Sequence, residues 1–207
     1  MGKAPCERTR SEATQKSAHL GSGFISIGQL HWKGRRMPTP AYISIRGATQ
    51  GKITEGASSA ESIGNTWQEG HEDEILVQAV DHIVTIPRDP QSGQPSGQRV
   101  HKAFRFTSGM NKATPLLYVS LTSGEMLPEV VVKWFRTNTD GLQEHFFTTK
   151  LEDATVVEID CSMPHVQDAQ KAEMTQLITV SLSYRKISWE HVVANTSGSD
   201  DWRKPRA

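Results

Sequence analysis

Between residues 41 and 193 most apolar positions recur at a spacing of two. They sit in short runs rich in Val, Ile, Thr and aromatic residues, bounded by Gly, Pro, Asn and Ser. That is the pattern of half-buried strands. Residues 41–46 predict a first strand. Residues 75–86 are a long β-favouring run of mixed polarity and predict one long bent strand, ended by Pro87. Residues 88–98 hold two prolines, two glycines and two serines and predict a projecting loop. Residues 101–107 resume as a strand. Residues 129–137 and 143–149 flank Asn138-Thr-Asp-Gly141 and predict a hairpin. Residues 154–161 predict another strand, with Val157, Ile159 and Cys161 on one face. A polar connection follows at 163–173. Residues 175–193 predict the longest strand, in which Ile178, Val180, Leu182 and Tyr184 share one parity while Ile187 and Trp189 share the other. A phase slip of that kind implies a bulge near Arg185 and Lys186. Many short strands with one helix predict an all-β barrel or two-sheet sandwich.

The one convincing helix, about 114–123, interrupts this series. Thr114 is expected to cap it through its hydroxyl, Pro115 occupies the first turn and Gly124 closes it in the left-handed conformation. Leu116, Leu117, Tyr118, Val119 and Leu121 cover most of its circumference. A short helix apolar nearly all round must be covered on more than one side. A single β layer covers one, so something else, a second copy of the chain among the options, is expected to cover the other.

The 207 residues carry 23 basic and 23 acidic side chains, unevenly spread. Residues 1–36 hold seven basic and two acidic side chains, leaving the remainder with a net charge of −5. An acidic body lacks the Lys and Arg surplus that phosphate contacts need, which argues against nucleic-acid binding. No apolar run approaches the length of a membrane helix, so no membrane insertion is expected. Residues 1–36 have no sustained periodicity and no secretory h-region. Met37 opens a sequence that looks like a natural start, and 1–36 are expected to be a disordered upstream extension. The body, 37–193, is expected to be one domain, with 194–207 as a tail. Two cysteines, Cys6 and Cys161, lie far apart and predict no disulfide, which fits a reducing compartment. Asp160 beside Cys161 disfavours a thiolate, so an inert or buried thiol is expected.

Candidate chemistry is sparse. His71-Glu-Asp-Glu74 is not a His-Glu-x-x-His motif and is expected to be a solvated acidic turn. His82, His101, His145, His165 and His191 are scattered without ligand spacing. No Gly-x-Ser-x-Gly elbow and no phosphate-cradling loop are present. No enzyme activity, cofactor or metal is expected. A carbohydrate-type ligand-binding β-sandwich is the alternative reading, but Trp134 and Trp189 alternate with apolar neighbours rather than forming an exposed platform.

Residues 106–125 (FTSGMNKATPLLYVSLTSGE) resemble the helix signature of the haemolysin-coregulated proteins (Hcp), tube subunits of the type VI secretion system. The likeness extends in order through 37–45 (MPTPAYISI), 70–74 (GHEDE), 81–89 (DHIVTIPRD), 96–102 (SGQRVHK), 145–153 (HFFTTKLED), 182–191 (LSYRKISWEH) and 199–202 (SDDW). The enterobacterial type is the nearest likeness, and residues 1–36 have no counterpart. The resemblance implies an antiparallel two-sheet β-barrel with one flanking short α-helix, forming a homo-hexameric ring. It implies stacking into a tube within a contractile sheath, under a spike trimer, with small effectors in the lumen. It also implies a cytoplasmic subunit later secreted without a signal peptide. On this reading Arg88, Asp89, Pro90, Gln91, Gln94 and Gln98 belong to a ring-stacking loop, and Leu116, Leu117, Tyr118 and Leu121 to a helix interface. Some relatives carry a fused toxin after the barrel; the fourteen residues here are expected to be too few for one.

Overall fold

The computed structural model describes residues 39–64, 67–165, 167 and 175–204. The expected extension at 1–36 and most of the polar connection at 163–173 lie outside the described residues. In chain order the elements are β1 (Ala41–Gly47), β2 (Gly51–Lys52), α1 (Ala60–Ile63), β3 (Ile75–Asp81), β4 (Val84–Thr85) and β5 (Val100–His101). They continue with β6 (Phe104–Gly109), α2 (Thr114–Ser123), β7 (Met126–Thr137), β8 (Gln143–Ser162), β9 (Leu177–Ser183), β10 (Lys186–His191) and β11 (Thr196–Asp201).

All pairings are antiparallel, and the main sheet runs β11-β10-β8-β7-β1-β3-β6-β9. It closes on itself because β8 pairs with β9 as well. The strand ring β8-β7-β1-β3-β6-β9 is therefore a barrel, with β10 and β11 continuing outward from the first half of β8. Closure leaves no free edge within that ring. Ile43, Ile45, Ile75, Phe104, Phe106, Val130, Val132, Leu151, Ile178, Val180 and Leu182 fill its interior, all almost fully buried. Their alternation with outward residues is the period-two pattern read from the sequence.

Several expected boundaries move. The predicted long strand at 75–86 splits: β3 stays in the barrel, while Val84 and Thr85 leave it to pair with Val100 and His101. The strand expected at 101–107 divides correspondingly into β5 and β6. Conversely, the two strands expected at 143–149 and 154–161 are one strand of 20 residues. The polar doublet between them is neutralised in place rather than turning. Lys186 Nζ donates to both oxygens of Glu152, at 3.0 and 3.1 Å. Asp153 takes a positive φ of 50° and lies 2.9 Å from Arg185 Nε. A bulge between Val156 and Glu158 pushes Val157 outward, so it does not share a face with Ile159 as expected. The phase slip at Arg185 is present as a break between β9 and β10, not a bulge within one strand. It lets β9 pair with the second half of β8 and β10 with the first. Cys161 is exposed, not buried.

Candidate functional site

The helix α2 begins differently from the expectation. Ala113, not Thr114, precedes it, with no side-chain cap. The Thr114 hydroxyl instead accepts a hydrogen bond from Asn111 N–H at 3.1 Å, and Asn111 Oδ1 accepts one from Ala113 N–H at 3.0 Å. The local turn of Asn111 thus takes up the Ala113 and Thr114 N–H groups at the start of the helix. The end is as expected. Gly124 is left-handed at φ 66°, its N–H reaches Leu121 O, and Glu125 N–H reaches Ser120 O at 3.0 Å. These two bonds form a Schellman closure.

Beyond that closure Glu125 turns inward and is clamped. Thr49 N–H and Gln50 N–H donate to its Oε1 at 2.7 and 2.9 Å, and Gln50 Nε2 donates to Oε2 at 2.6 Å. Burial alone would raise its carboxyl pKa, but these bonds outweigh it and hold the group below the usual range. Gln50 Nε2 also reaches Ser120 Oγ at 2.8 Å, tying the helix to the β1–β2 turn.

The four helix residues assigned to an interface divide. Leu117 is fully buried in the protomer's own core, so it is not available to a partner; i, i+3 spacing puts it on one face with buried Thr114 and Ser120. Leu121 packs partly against the same core. Leu116 and Tyr118 remain 36% and 37% exposed, and Val119 49%. α2 packs on β8 and shows an apolar surface outward.

The predicted loop is an ordered hairpin. β4 and β5 form a two-stranded arm, with a bridge between Arg88 and Pro95 near its tip. Asp89 organises the tip: its carboxylate accepts from Ser92 Oγ at 2.6 Å and from the N–H groups of Gln91 and Ser92. These bonds lower its pKa. Gly93, at φ 70°, returns its N–H to Asp89 O at 2.8 Å. Arg88, Pro90, Gln91, Gln94 and Gln98 are exposed and Asp89 half-buried. Ile83, Val84, Ile86 and Val100 give the arm exposed apolar flanks. A groove of about 540 Å³ separates it from β11, lined by Val84, Ile86, Arg99, Asp200 and Lys204 among others.

Sequence reasoning missed the root of the arm. His82 and His101 look scattered, yet both reach the hydroxyl of Tyr184. His82 Nε2 lies 2.6 Å and His101 Nδ1 2.8 Å from it. His101 Nε2 is 2.8 Å from Asp200 Oδ2, which also accepts from Arg99 Nε at 2.5 Å. No spacing rule could reveal a cluster drawn from four separate parts of the chain. Burial, then the charge of Asp200, raises the Tyr184 pKa.

His71-Glu-Asp-Glu74 is not a solvated turn. His71 stacks flat on Tyr42 at 3.7 Å and its Nδ1 is 2.8 Å from Glu74 Oε2; Lys133 Nζ donates to Glu74 Oε1 at 2.5 Å. The segment thus packs over the outer face of β1. Burial, then the charge of Glu74, pushes the Tyr42 pKa up to about 12. Among the described residues no group of three His, Cys, Asp or Glu could hold a metal ion. No described helix is long and apolar enough to cross a membrane. Trp134 and Trp189 pack against the core, and Trp134 Nε1 donates to Thr149 Oγ1 at 3.0 Å.

Residues 42–191 match the family model described as "Type VI secretion system effector, Hcp". The chain is 56% identical over 171 residues to the "Major exported protein" of Pseudomonas aeruginosa, covering 83% of this chain and 99% of that one. A structure titled "Crystal structure of Hcp protein" superposes with a TM-score of 0.77 at 60% identity, covering 81% of this chain and 99% of that chain. The "Secreted protein Hcp3 from Pseudomonas aeruginosa" superposes at 0.68 with 48% identity, covering 80% and 99%. The match is at the level of the family and does not require the enterobacterial subtype. With a family model spanning most of the barrel and relatives matched over nearly their full length, the chain belongs to the Hcp family of type VI secretion proteins.

Proposed function

We propose that this chain is a non-catalytic tube subunit. It assembles in the cytoplasm as a homo-hexameric ring, rings stack into the inner tube of a type VI secretion system, and the tube is secreted. A contractile sheath and a spike trimer are its partners in assembly, and small effector proteins occupy the lumen. The observation that carries this reading is the outward face of α2. Leu116, Tyr118 and Val119 are exposed on a helix whose opposite face is core. Fully burying an exposed side chain of this size gains about 1.5–3 kcal/mol, and these three keep between a third and a half of their surface exposed, so covering the patch still rewards a partner. The same surface on every copy suits a ring of identical subunits. Within this reading Leu116, Tyr118 and partly Leu121 serve ring contacts. The ordered tip at Arg88, Asp89, Pro90, Gln91, Gln94 and Gln98 serves contacts between rings.

The test is the solution mass by light scattering of the full chain beside residues 37–207. Six protomer masses support the ring. A clean monomer for both overturns it.

A further inference from the structure

Beside the contacts of Arg99 to β11, the arm formed by β4 and β5 is fixed to the barrel at its root by a chain of side-chain bonds. It runs from His82, on the link between β3 and β4, through Tyr184, on the link between β9 and β10, to His101 on β5 and Asp200 on β11. His101 is 2% exposed at its side chain and Tyr184 is buried, so the middle of the chain is shielded from water, while Asp200 at its end is 26% exposed. Phe104 packs on His82 at 5.4 Å, Trp202 stacks on His101 at 6.3 Å, and Trp202 Nε1 donates to Tyr184 O.

With both rings neutral, one proton arrangement satisfies all three bonds. Asp200 is an acceptor only, so His101 Nε2 carries a hydrogen toward it and Nδ1 is left as a lone pair. Tyr184 O–H then donates to that Nδ1. The Tyr184 oxygen in turn accepts from His82 Nε2–H. Both rings are neutral in this arrangement. One added proton is accommodated, because the Tyr184 hydrogen can turn to whichever histidine keeps a lone pair toward it. If both rings are charged, His101 Nδ1–H and His82 Nε2–H point at one oxygen, and the Tyr184 hydrogen loses its acceptor. A buried hydroxyl without an acceptor, between two converging donors, disfavours the closed root.

We propose that the His82–Tyr184–His101–Asp200 chain is a pH-sensitive latch: it holds the arm root on the barrel while at most one of its two histidines is charged and lets it swing free when acidification charges both. The latch lies within one protomer and does not depend on ring formation. The charged and titratable groups around it are Asp81 on β3, Arg99 before β5, Asp200 and Asp201 on β11, and Lys204 after β11. Arg185, beside Tyr184, is engaged by Asp153. Arg99 keeps its charge throughout and also donates to Asp201 O at 2.8 Å and Lys204 O at 3.2 Å, so the swing is hinged rather than a detachment. Burial and the neighbouring His101 hold His82 below the ordinary histidine range, against the pull of Asp81. A histidine with a depressed pKa in the closed form binds fewer protons there than when released. The closed form is therefore fully favoured above the released-state pKa of about 6.5 and loses ground as pH falls below it.

Hydrogen exchange of the full chain, read by mass spectrometry and corrected for intrinsic rates, tests this. Between about pH 7.5 and about pH 5.5, peptides spanning 83–102 are expected to exchange up to about tenfold faster, the effect of one extra proton taken up on release, while β1 and β7 stay unchanged. Tyr184→Phe is expected to free the arm at the higher pH and flatten the pH dependence. Equal arm protection at both pH values overturns the latch, as does loosening of β1 and β7 in step with the arm. The wild-type comparison decides even if the variant folds poorly.

Discussion

Gln50 and Glu125 lie 75 residues apart, yet their side chains meet at 2.6 Å, and the Gln50 backbone N–H reaches the same carboxylate at 2.9 Å. This contact joins the first turn of the barrel to the end of the helix. Glu125→Ala leaves the Thr49 and Gln50 N–H groups without their acceptor; water can reach exposed Thr49, so the loss is expected near the net value of a hydrogen bond to a charged group, about 1.5–3 kcal/mol in all. The variant is expected to melt well below the wild type. Glu125→Gln keeps an acceptor but turns an amide toward Gln50 Nε2, and is expected to lose less. Because the folded carboxyl pKa is depressed, its contribution is present above the unfolded value of about 4.3 and fades as pH falls through the folded one. The gap between wild type and Glu125→Gln in denaturant melts is therefore expected to narrow in acid.

Gly47 sits against the same carboxylate. A Cβ there would lie 2.4 Å from Glu125 Oε1 and 3.1 Å from Ile53 Cδ1. Gly47→Ala forces the clamp to shift and is expected to cost about 1–3 kcal/mol, as overpacking does. Combined with Glu125→Ala the two losses are expected to be less than additive, since both act on one contact. A double-mutant cycle by urea unfolding reads this directly.

The helix separates folding from assembly. Leu117→Asp buries a charge in the barrel core and is expected to abolish the folded state, at several kcal/mol. Leu116→Asp and Tyr118→Asp change only the outward face, so the far-ultraviolet spectrum and melting are expected to persist while the solution mass drops. A hexamer that survives both surface changes would place the ring contact elsewhere.

Shortening the arm tip from Asp89 to Gln94 to a two-residue turn is expected to leave the barrel and ring mass intact. Stacked assemblies and secretion are expected to fall. Loss of the folded monomer would instead give the tip a core role.

Most strands, the helix α2, its glycine stop and the hairpin at Asn138–Gly141 were legible because each rests on local chemistry. Asn138 illustrates this: its Oδ1 accepts from Asp140 and Leu142 N–H within the turn itself. The failures share another cause. Glu152 and Asp153 look like a connection until Lys186 and Arg185 arrive from a distant strand. Val84 looks like a continuation of β3 until Val100 and His101 offer a separate pairing. The latch joins residues from the two ends of the arm, a strand junction and the last strand, and nothing local marks them. The outward face of α2 was the reverse case: its surplus of apolar residues showed that a partner was wanted, while the burial of Leu117 decided which of them could meet it.

The double pairing of β8 also sets a schedule. Its hairpin with β7 needs only the short turn at Asn138–Gly141 and can form early. The seam that closes the barrel, β8 with β9, waits for residues 177–183, late in synthesis. Until then β6 and the second half of β8 each offer an unpaired edge with Phe104, Phe106 and Val156 behind it. Such non-local closure is slow, on the order of milliseconds to seconds. The nascent chain is thus most vulnerable to aggregation after β8 is complete and before β9 emerges.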